Sequence, residues 1–157
     1  MKPNFQYQVK LRVPFGVLGI HCENEMLSGI TFLLSKSTVK KPRDDFERKV
    51  CEQLQAYFET ADFQFDLPLK LPGTEHQVKV WQAMRDIPCG SVQTYGELSK
   101  LIHSSPRAIG QACGNNPIPI VVPCHRVVSK TGFGGFMHST ENSILDIKRW
   151  LLRHEQH

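Results

Sequence analysis

Two prolines, Pro68 and Pro72, stand in the stretch Asp66-Leu-Pro-Leu-Lys-Leu-Pro-Gly73 near the middle of the chain. Each biases its predecessor away from helix, and neither can donate to a central sheet ladder, so the stretch reads as an extended link. We therefore expect the chain to divide here into an N-terminal domain over residues 1–68 and a second domain over 73–157. A chain of this length buries about 68–70% of its unfolded surface, so disulfides and metals are not needed for it to fold.

The first half alternates before it spirals. Phe5 to Val13, Gly16 to Ile20 and Leu27 to Leu34 read as three strands of a small antiparallel sheet. From Arg43 the period changes to that of a helix, with Phe46, Val50, Leu54, Tyr57 and Phe58 on one face and Asp44, Asp45 and Glu47 in the first turn.

The second half reads as short helices and turns. Thr74 with Gln77, and Thr94 with Glu97, have the spacing of capping boxes, and Pro106 fits a first helical position. The helix opened by Thr94 carries Tyr95, Leu98, Leu101 and Ile102. The next runs from Pro106 to about Cys113, where Gly114-Asn115-Asn116-Pro117 stops it; the pair is a helix-turn-helix candidate. Ile118 to Pro123 is apolar and proline-bounded, which predicts a short extended segment. Val127 to Phe136 predicts a hairpin or wing with glycines at its tip. A last helix from about Asn142 places Ile144, Ile147 and Leu151 on one face. The fold class expected is α+β: a small N-terminal antiparallel sheet plus helix, then a C-terminal winged helix-turn-helix-like domain.

Composition narrows the setting. No apolar run approaches the 18 or so residues of a membrane span, and Met1-Lys2-Pro3-Asn4-Phe5-Gln6 has no signal-peptide core, so a cytoplasmic protein is expected. Five cysteines without a Cys-x-x-Cys pair argue against both a disulfide framework and a zinc ribbon. His21 and Cys22 are adjacent but lack further ligands at useful spacing, and no metal is expected. The net charge is +4, and from Pro72 onward there are nine Lys and Arg against six Asp and Glu, with six of the seven histidines. That excess suits a polyanionic partner without requiring one.

Cys124 is the residue on which chemistry can be built. It stands between the apolar proline-bounded segment and His125-Arg126, and on spacing alone it is either an inert core thiol or a nucleophile. A nucleophilic role requires a lowered thiol pKa: a histidine to take the proton, a carboxylate to orient the histidine, and positive potential from Arg126. Glu155, at the end of the last helix, is the carboxylate expected to pair with His125. Consecutive side chains of an extended segment point to opposite faces, so Cys124 and His125 can serve one site only if the backbone turns here or water bridges them.

These residues carry a resemblance. Pro123-Cys124-His125-Arg126-Val127, preceded by Asn116-Pro117-Ile118-Pro119-Ile120-Val121-Val122, resembles the active-site signature of the O6-alkylguanine-DNA alkyltransferases, also called methylated-DNA–protein-cysteine methyltransferases. Thr94-Tyr-Gly-Glu-Leu98, Arg107-Ala-Ile-Gly110 and Lys148-Arg-Trp-Leu-Leu-Arg-His-Glu155 resemble that family's other blocks, in the same order. The likeness spans the second half; the first half matches in size and in its strand-then-helix layout.

The resemblance implies irreversible transfer of an alkyl group from O6 of guanine in double-stranded DNA to Cys124, in a monomer without a cofactor. The alkyl carbon is inaccessible inside a duplex, so the nucleotide must rotate out into a pocket. By the same resemblance Arg107 fills the vacated space. Ala108, Gly110 and Gln111 lie against DNA with Tyr95, and Ala108, Gly110 and Ala112 let the helix approach closely. Tyr95 also helps rotate the nucleotide and donates toward guanine N3, Asn116 braces the active-site turn, and His125 with Glu155 takes the proton. The carbonyls of Cys124 and Val127 accept from the guanine amino group, the Phe136 ring sandwiches the base, and the Met137 backbone N–H approaches O6.

Phe136 departs from the tyrosine of many relatives, and the stretch Met137 to Ser143 is a few residues longer than in several of them. Three other classes compete. A lesion-binding protein of the alkyltransferase-like kind lacks the cysteine, a cysteine hydrolase turns over repeatedly, and a transcription factor needs base-reading side chains on the helix from Pro106.

Overall fold

The computed structural model describes residues 7–33, 36–132, 134–138 and 142–156. The chain forms two compact units, one through Lys70 and one from Leu71.

In the first unit, β1 (Val9–Val13), β2 (Gly16–Glu23) and β3 (Met26–Leu33) form an antiparallel sheet in chain order. Its register sets Leu11 opposite Leu18 and Ile20 opposite Ile30, with an irregularity between His21 and Cys22. The strand expected from Phe5 begins at Val9; residues 5 and 6, like the predicted strand end at Leu34, lie outside the described residues. Helix α1 (Asp45–Glu59) is capped by Asp44, whose side chain accepts from the Glu47 amide, so Asp44 is the cap and not part of the first turn. The α1 face made by Val50, Cys51, Leu54 and Tyr57 is buried together with Val9, Leu18, Ile20 and Leu27 of the sheet. The stretch after α1 is extended: Leu27 donates its amide to Pro68 O, and Lys70 donates back to Leu27 O.

In the second unit, α2 (Glu75–Arg85) and α3 (Tyr95–Leu101) both begin at complete capping boxes, Thr74 with Gln77 and Thr94 with Glu97. Helix α4 (Pro106–Gly114) has Pro106 at its start and Ser105 as its cap. Trp81, buried on α2, donates its indole N–H to Ala112 O at 2.8 Å and so ties α2 to α4. The remaining core comes from Val80, Met84, Leu98, Ile109, Ile118, Val122, Val127 and Leu151, the last on α5 (Asn142–Glu155).

Two expectations fail locally. Ile118 to Pro123 is not extended: the Val122 amide donates to Ile118 O at 2.9 Å, and Ile120 sits at φ 77°. Asn116 explains the fold-back, because its Nδ2 donates to Val122 O and its Oδ1 accepts from the Ile118 amide, holding both ends of the turn. Nor does Val127–Val128 start a hairpin. It is strand β5, paired in parallel with β4 (Gln93–Thr94), while the Ser129–Gly132 stretch closes on itself through one bridge. Phe133, at the expected tip, lies outside the described residues.

Candidate active site

The two-rung ladder between β4 and β5 positions the site. Tyr95 immediately follows β4 and begins α3, while the segment Cys124–Arg126 immediately precedes β5. Pairing Gln93 with Val127 and Thr94 with Val128 therefore brings the start of α3 beside Cys124. Cys124–Arg126 forms a single 3-10 turn, closed by the Arg126 amide on Pro123 O. This is the backbone turn that the adjacent Cys124 and His125 required.

His125 is fully buried, and its Nε2 donates to Glu155 Oε2 at 2.8 Å. Its Nδ1 has no hydrogen-bond partner among the described residues. With Nε2–H engaged by a carboxylate, Nδ1 carries the lone pair and is the atom able to accept a proton. Burial lowers the His125 pKa, opposed by the hydrogen bond and charge of Glu155, so the resting ring is neutral.

Arg126 does something other than what its place beside Cys124 suggested. Its Nε donates to Glu155 Oε1 at 2.8 Å, its Nη2 to Glu155 Oε2 at 3.0 Å and its Nη1 to Ile87 O at 2.6 Å. The guanidinium thus steadies the carboxylate that holds His125. The cation acting on the sulfur is Lys148, which is fully buried on α5 and donates Nζ to Val127 O at 2.9 Å and Gly135 O at 3.0 Å. Sequence reading missed it, although the signal was present: Lys148, Leu151 and Glu155 share one helical stripe, and a lysine there is a buried charge.

The thiol is not anionic at rest. Burial pushes Cys124 up to about 11, against the lowering effects of the Asn116 hydrogen bond, the Lys148 charge and a backbone hydrogen bond. The expected depression of the pKa fails because desolvation outweighs these three. Desolvation also pulls Lys148 down to about 8.

Cys124 opens on a cavity of about 330 Å³ whose wall includes Tyr95, Gly110, Cys113, Phe136, Met137 and His138. Tyr95 stands against Gly134, where a Cβ would come within 3.1 Å of the tyrosine hydroxyl and the φ of 72° also favours glycine. Burial, with the neighbouring thiols Cys113 and Cys124, pushes the Tyr95 hydroxyl up to about 12, so it stays protonated and can donate. Phe136 is buried, and Val127 O accepts from Lys148. Cys124 O likewise accepts from the Val127 amide.

On α4, Arg107 and Gln111 are exposed and Ala108 and Gly110 are half-buried. Ala112 is in the core, so it belongs to the packing of α4 against α2 and not to an outward small-residue face. Cys113 and His138 are cavity residues that sequence reading did not single out. Residues 139–141 of the longer stretch lie outside the described residues. In the first unit, His21 Nδ1 bonds Ser28 Oγ, and among the described residues no group of three or more His, Cys, Asp or Glu side chains converges as a metal site would.

The family model for the 6-O-methylguanine DNA methyltransferase DNA-binding domain matches residues 75–157. A methylated-DNA–protein-cysteine methyltransferase of Methanosarcina mazei is 43% identical, covering 83% of this chain and 84% of its own length. One of Methanosarcina acetivorans is 37% identical over 95% of this chain and 97% of its own. Among solved structures, Mycobacterium tuberculosis O6-methylguanine methyltransferase superposes with a TM-score of 0.79 at 32% identity, covering 94% of this chain and 90% of that one. Mycobacterium tuberculosis OGT in complex with DNA gives 0.76 at 34% identity, covering 94% and 91%.

Proposed function

Because this chain belongs to the methylated-DNA–protein-cysteine methyltransferase family, we propose that it repairs O6-alkylguanine in double-stranded DNA by irreversible alkyl transfer to its own Cys124. The observation carrying this reading is that Cys124 lines a cavity walled by Tyr95 and α4, while the neighbouring His125 is held by Glu155 with a proton-accepting nitrogen to spare.

The chemistry is a displacement. As the sulfur–carbon bond forms, the carbon–O6 bond breaks and its electron pair leaves on guanine. The thiol proton passes through water to His125 Nδ1, whose positive charge Glu155 then stabilises. Because the resting thiol is protonated, deprotonation accompanies transfer and does not precede it. Lys148 lowers the energy of the developing thiolate, and Tyr95 donates a hydrogen bond toward guanine N3 as negative charge builds on the ring.

Recognition follows from α4. Arg107 at its exposed start enters the space that the rotated nucleotide leaves, and Ala108, Gly110 and Gln111 lie along the duplex. Phe136 covers the base, the Met137 amide meets O6, and the carbonyls of Cys124 and Val127 accept from the guanine amino group. Asn116 keeps the turn before Cys124 folded. In this reading residues 73–157 form the DNA-binding and alkyl-acceptor domain, residues 1–68 the N-terminal domain, and the protein works in the cytoplasm.

Intact-mass measurement after mixing with a duplex containing O6-methylguanine tests the proposal. One methylene mass should be gained per protein molecule, mapped to the peptide holding Cys124, with no further turnover. C124S should gain none while still binding DNA. Repeated turnover would point to a hydrolase, and methylation elsewhere would refute Cys124 as the acceptor.

A further inference from the structure

Two cysteines line the cavity, Cys113 from α4 and Cys124 from the 3-10 turn. Each is capped by a thioether: Cys113 Sγ donates to Met84 Sδ at 3.5 Å, and Cys124 Sγ to Met137 Sδ at 3.8 Å. The caps differ in what holds them. Met84 is fully buried on α2 beside Trp81 and cannot leave without opening the core. Met137 is only half-buried and lies in a loop whose backbone is strained, with Met137 at φ 52° and His138 at φ 60°. That loop is latched to the end of α4. His138 Nε2 donates to Asn115 Oδ1 at 3.0 Å in an exposed hydrogen bond, and its ring packs so closely on Gly114 that a Cβ there would come within 2.2 Å of it.

The geometry points to Met137 as a displaceable, specificity-determining plug: its thioether occupies the approach to the Cys124 sulfur, and the His138–Asn115 latch decides which alkyl donors can move it aside. This rests on Cys124 being the alkyl acceptor. A base seated by the binding energy of the duplex can displace a half-buried side chain from a strained loop. A small free electrophile brings no such binding energy and meets a covered thiol. Cys113 lines the same cavity but keeps an immovable cap, which accounts for one acceptor in a pocket that contains two thiols. The linear side chain of methionine suits a part that must swing between two positions.

Timed alkylation of the native protein by iodoacetamide tests the plug. The thiolate sulfur bonds the reagent carbon, iodide leaves and the thiol proton goes to solvent; peptide masses then report Cys124 and Cys113 separately. M137A is expected to speed alkylation of Cys124 at least tenfold while Cys113 changes less than twofold. H138A, which releases the latch, should speed Cys124 at least threefold. M137L keeps the bulk over the sulfur and should remain within threefold of the parent chain. A Cys124 rate in M137A within twofold of the parent overturns the plug. So does acceleration of both thiols together, which would mean a loosened domain, and so does an M137L rate as fast as that of M137A. Methyl transfer from an O6-methylguanine duplex is read separately on the parent chain. Failure there refutes Cys124 as the acceptor, whereas the thiol rates judge the plug.

Discussion

Glu155 and His125 are thirty residues apart in sequence, yet Glu155 Oε2 accepts from His125 Nε2 at 2.8 Å with both side chains buried. The same carboxylate takes two hydrogen bonds from Arg126, so one anion at the end of α5 orients the imidazole and satisfies a guanidinium. Burying His125 and Glu155 beside the half-buried Arg126 is tolerable only because the three satisfy one another, and removing one leaves the others to bear the desolvation penalty.

E155Q is therefore expected to destabilise the protein by about 3–5 kcal/mol, read from urea denaturation, because the Arg126 charge loses its counter-ion. It also removes the interactions that raise the His125 pKa, leaving a weaker base. Methyl transfer should fall about 100-fold, the lower end for loss of general-base assistance. A rate within twofold of the parent in protein that remains folded would mean that Glu155 supports structure alone.

The pH dependence of the thiol follows from burial. With Cys124 near 11, only a small fraction is thiolate at neutral pH, and that fraction grows tenfold per pH unit. Iodoacetamide alkylation of Cys124 should climb about one log unit per pH unit between pH 6 and 8. Above about 8 the slope should ease, because Lys148 loses its proton there and no longer favours the thiolate. A plateau reached below pH 7 would reveal a preformed thiolate and contradict this account.

K148M separates the two titrations. Without the ammonium, alkylation and methyl transfer at Cys124 should both slow by about tenfold, equivalent to roughly one unit of thiol pKa. The easing of the slope near pH 8 should vanish as well, which a purely structural lysine would not cause. Stability should change by less than about 2 kcal/mol, since the relief of ammonium desolvation offsets the two carbonyls left without their donor. Persistence of the break near pH 8 in K148M would assign it to another group.

Much of this arrangement was legible in the chain, and the failures have physical causes. Capping boxes are local, needing only a hydroxyl and a side chain three residues on, so Thr74 with Gln77 and Thr94 with Glu97 could be read directly. The fold-back of Ile118 to Pro123 depends on Asn116 reaching both Val122 O and the Ile118 amide, and composition alone suggests an extended run. Arg126 was assigned to its neighbour in sequence, but a long side chain finds the best buried anion, here Glu155 from the other end of the domain. Lys148 was readable from its place on the α5 stripe; Met137 over the sulfur was not, because no periodicity encodes a loop contact.

Alkaline conditions should weaken the fold. Cys22, Cys51, Cys113 and Cys124 are raised from 9.0 to between about 11 and about 12, and Tyr95 from 10.0 to about 12. Above the unfolded values the unfolded chain releases protons that the native state retains, so stability present below pH 9 is lost as pH rises toward 11. Lys148 works the other way between about 8 and 10.5, but it is one group against five. Urea midpoints should fall steadily from pH 9 to 10.5, and a rise over that range would show that these thiols ionise in place.

Gly110 offers a test in which stability and binding move in opposite directions. It lies in the middle of α4, where glycine is a poor helix former, and a Cβ placed there meets no atom beyond its own stretch of helix within 4 Å. G110A should therefore stabilise the protein by about 0.5–1 kcal/mol, since the substitution removes backbone freedom from the unfolded chain without creating a clash. Were α4 an ordinary exposed helix, nothing else would change. If α4 is the surface laid along the duplex, the added methyl holds the backbone away from the sugar–phosphate wall and reaches into the mouth of the cavity, which Gly110 also lines. Affinity for a duplex at fixed salt should then drop about threefold to tenfold, a loss of roughly 1 kcal/mol. Urea denaturation and a binding titration on the same preparation decide the matter. A stabilised G110A that binds DNA as tightly as the parent chain would remove α4 from the DNA-facing surface.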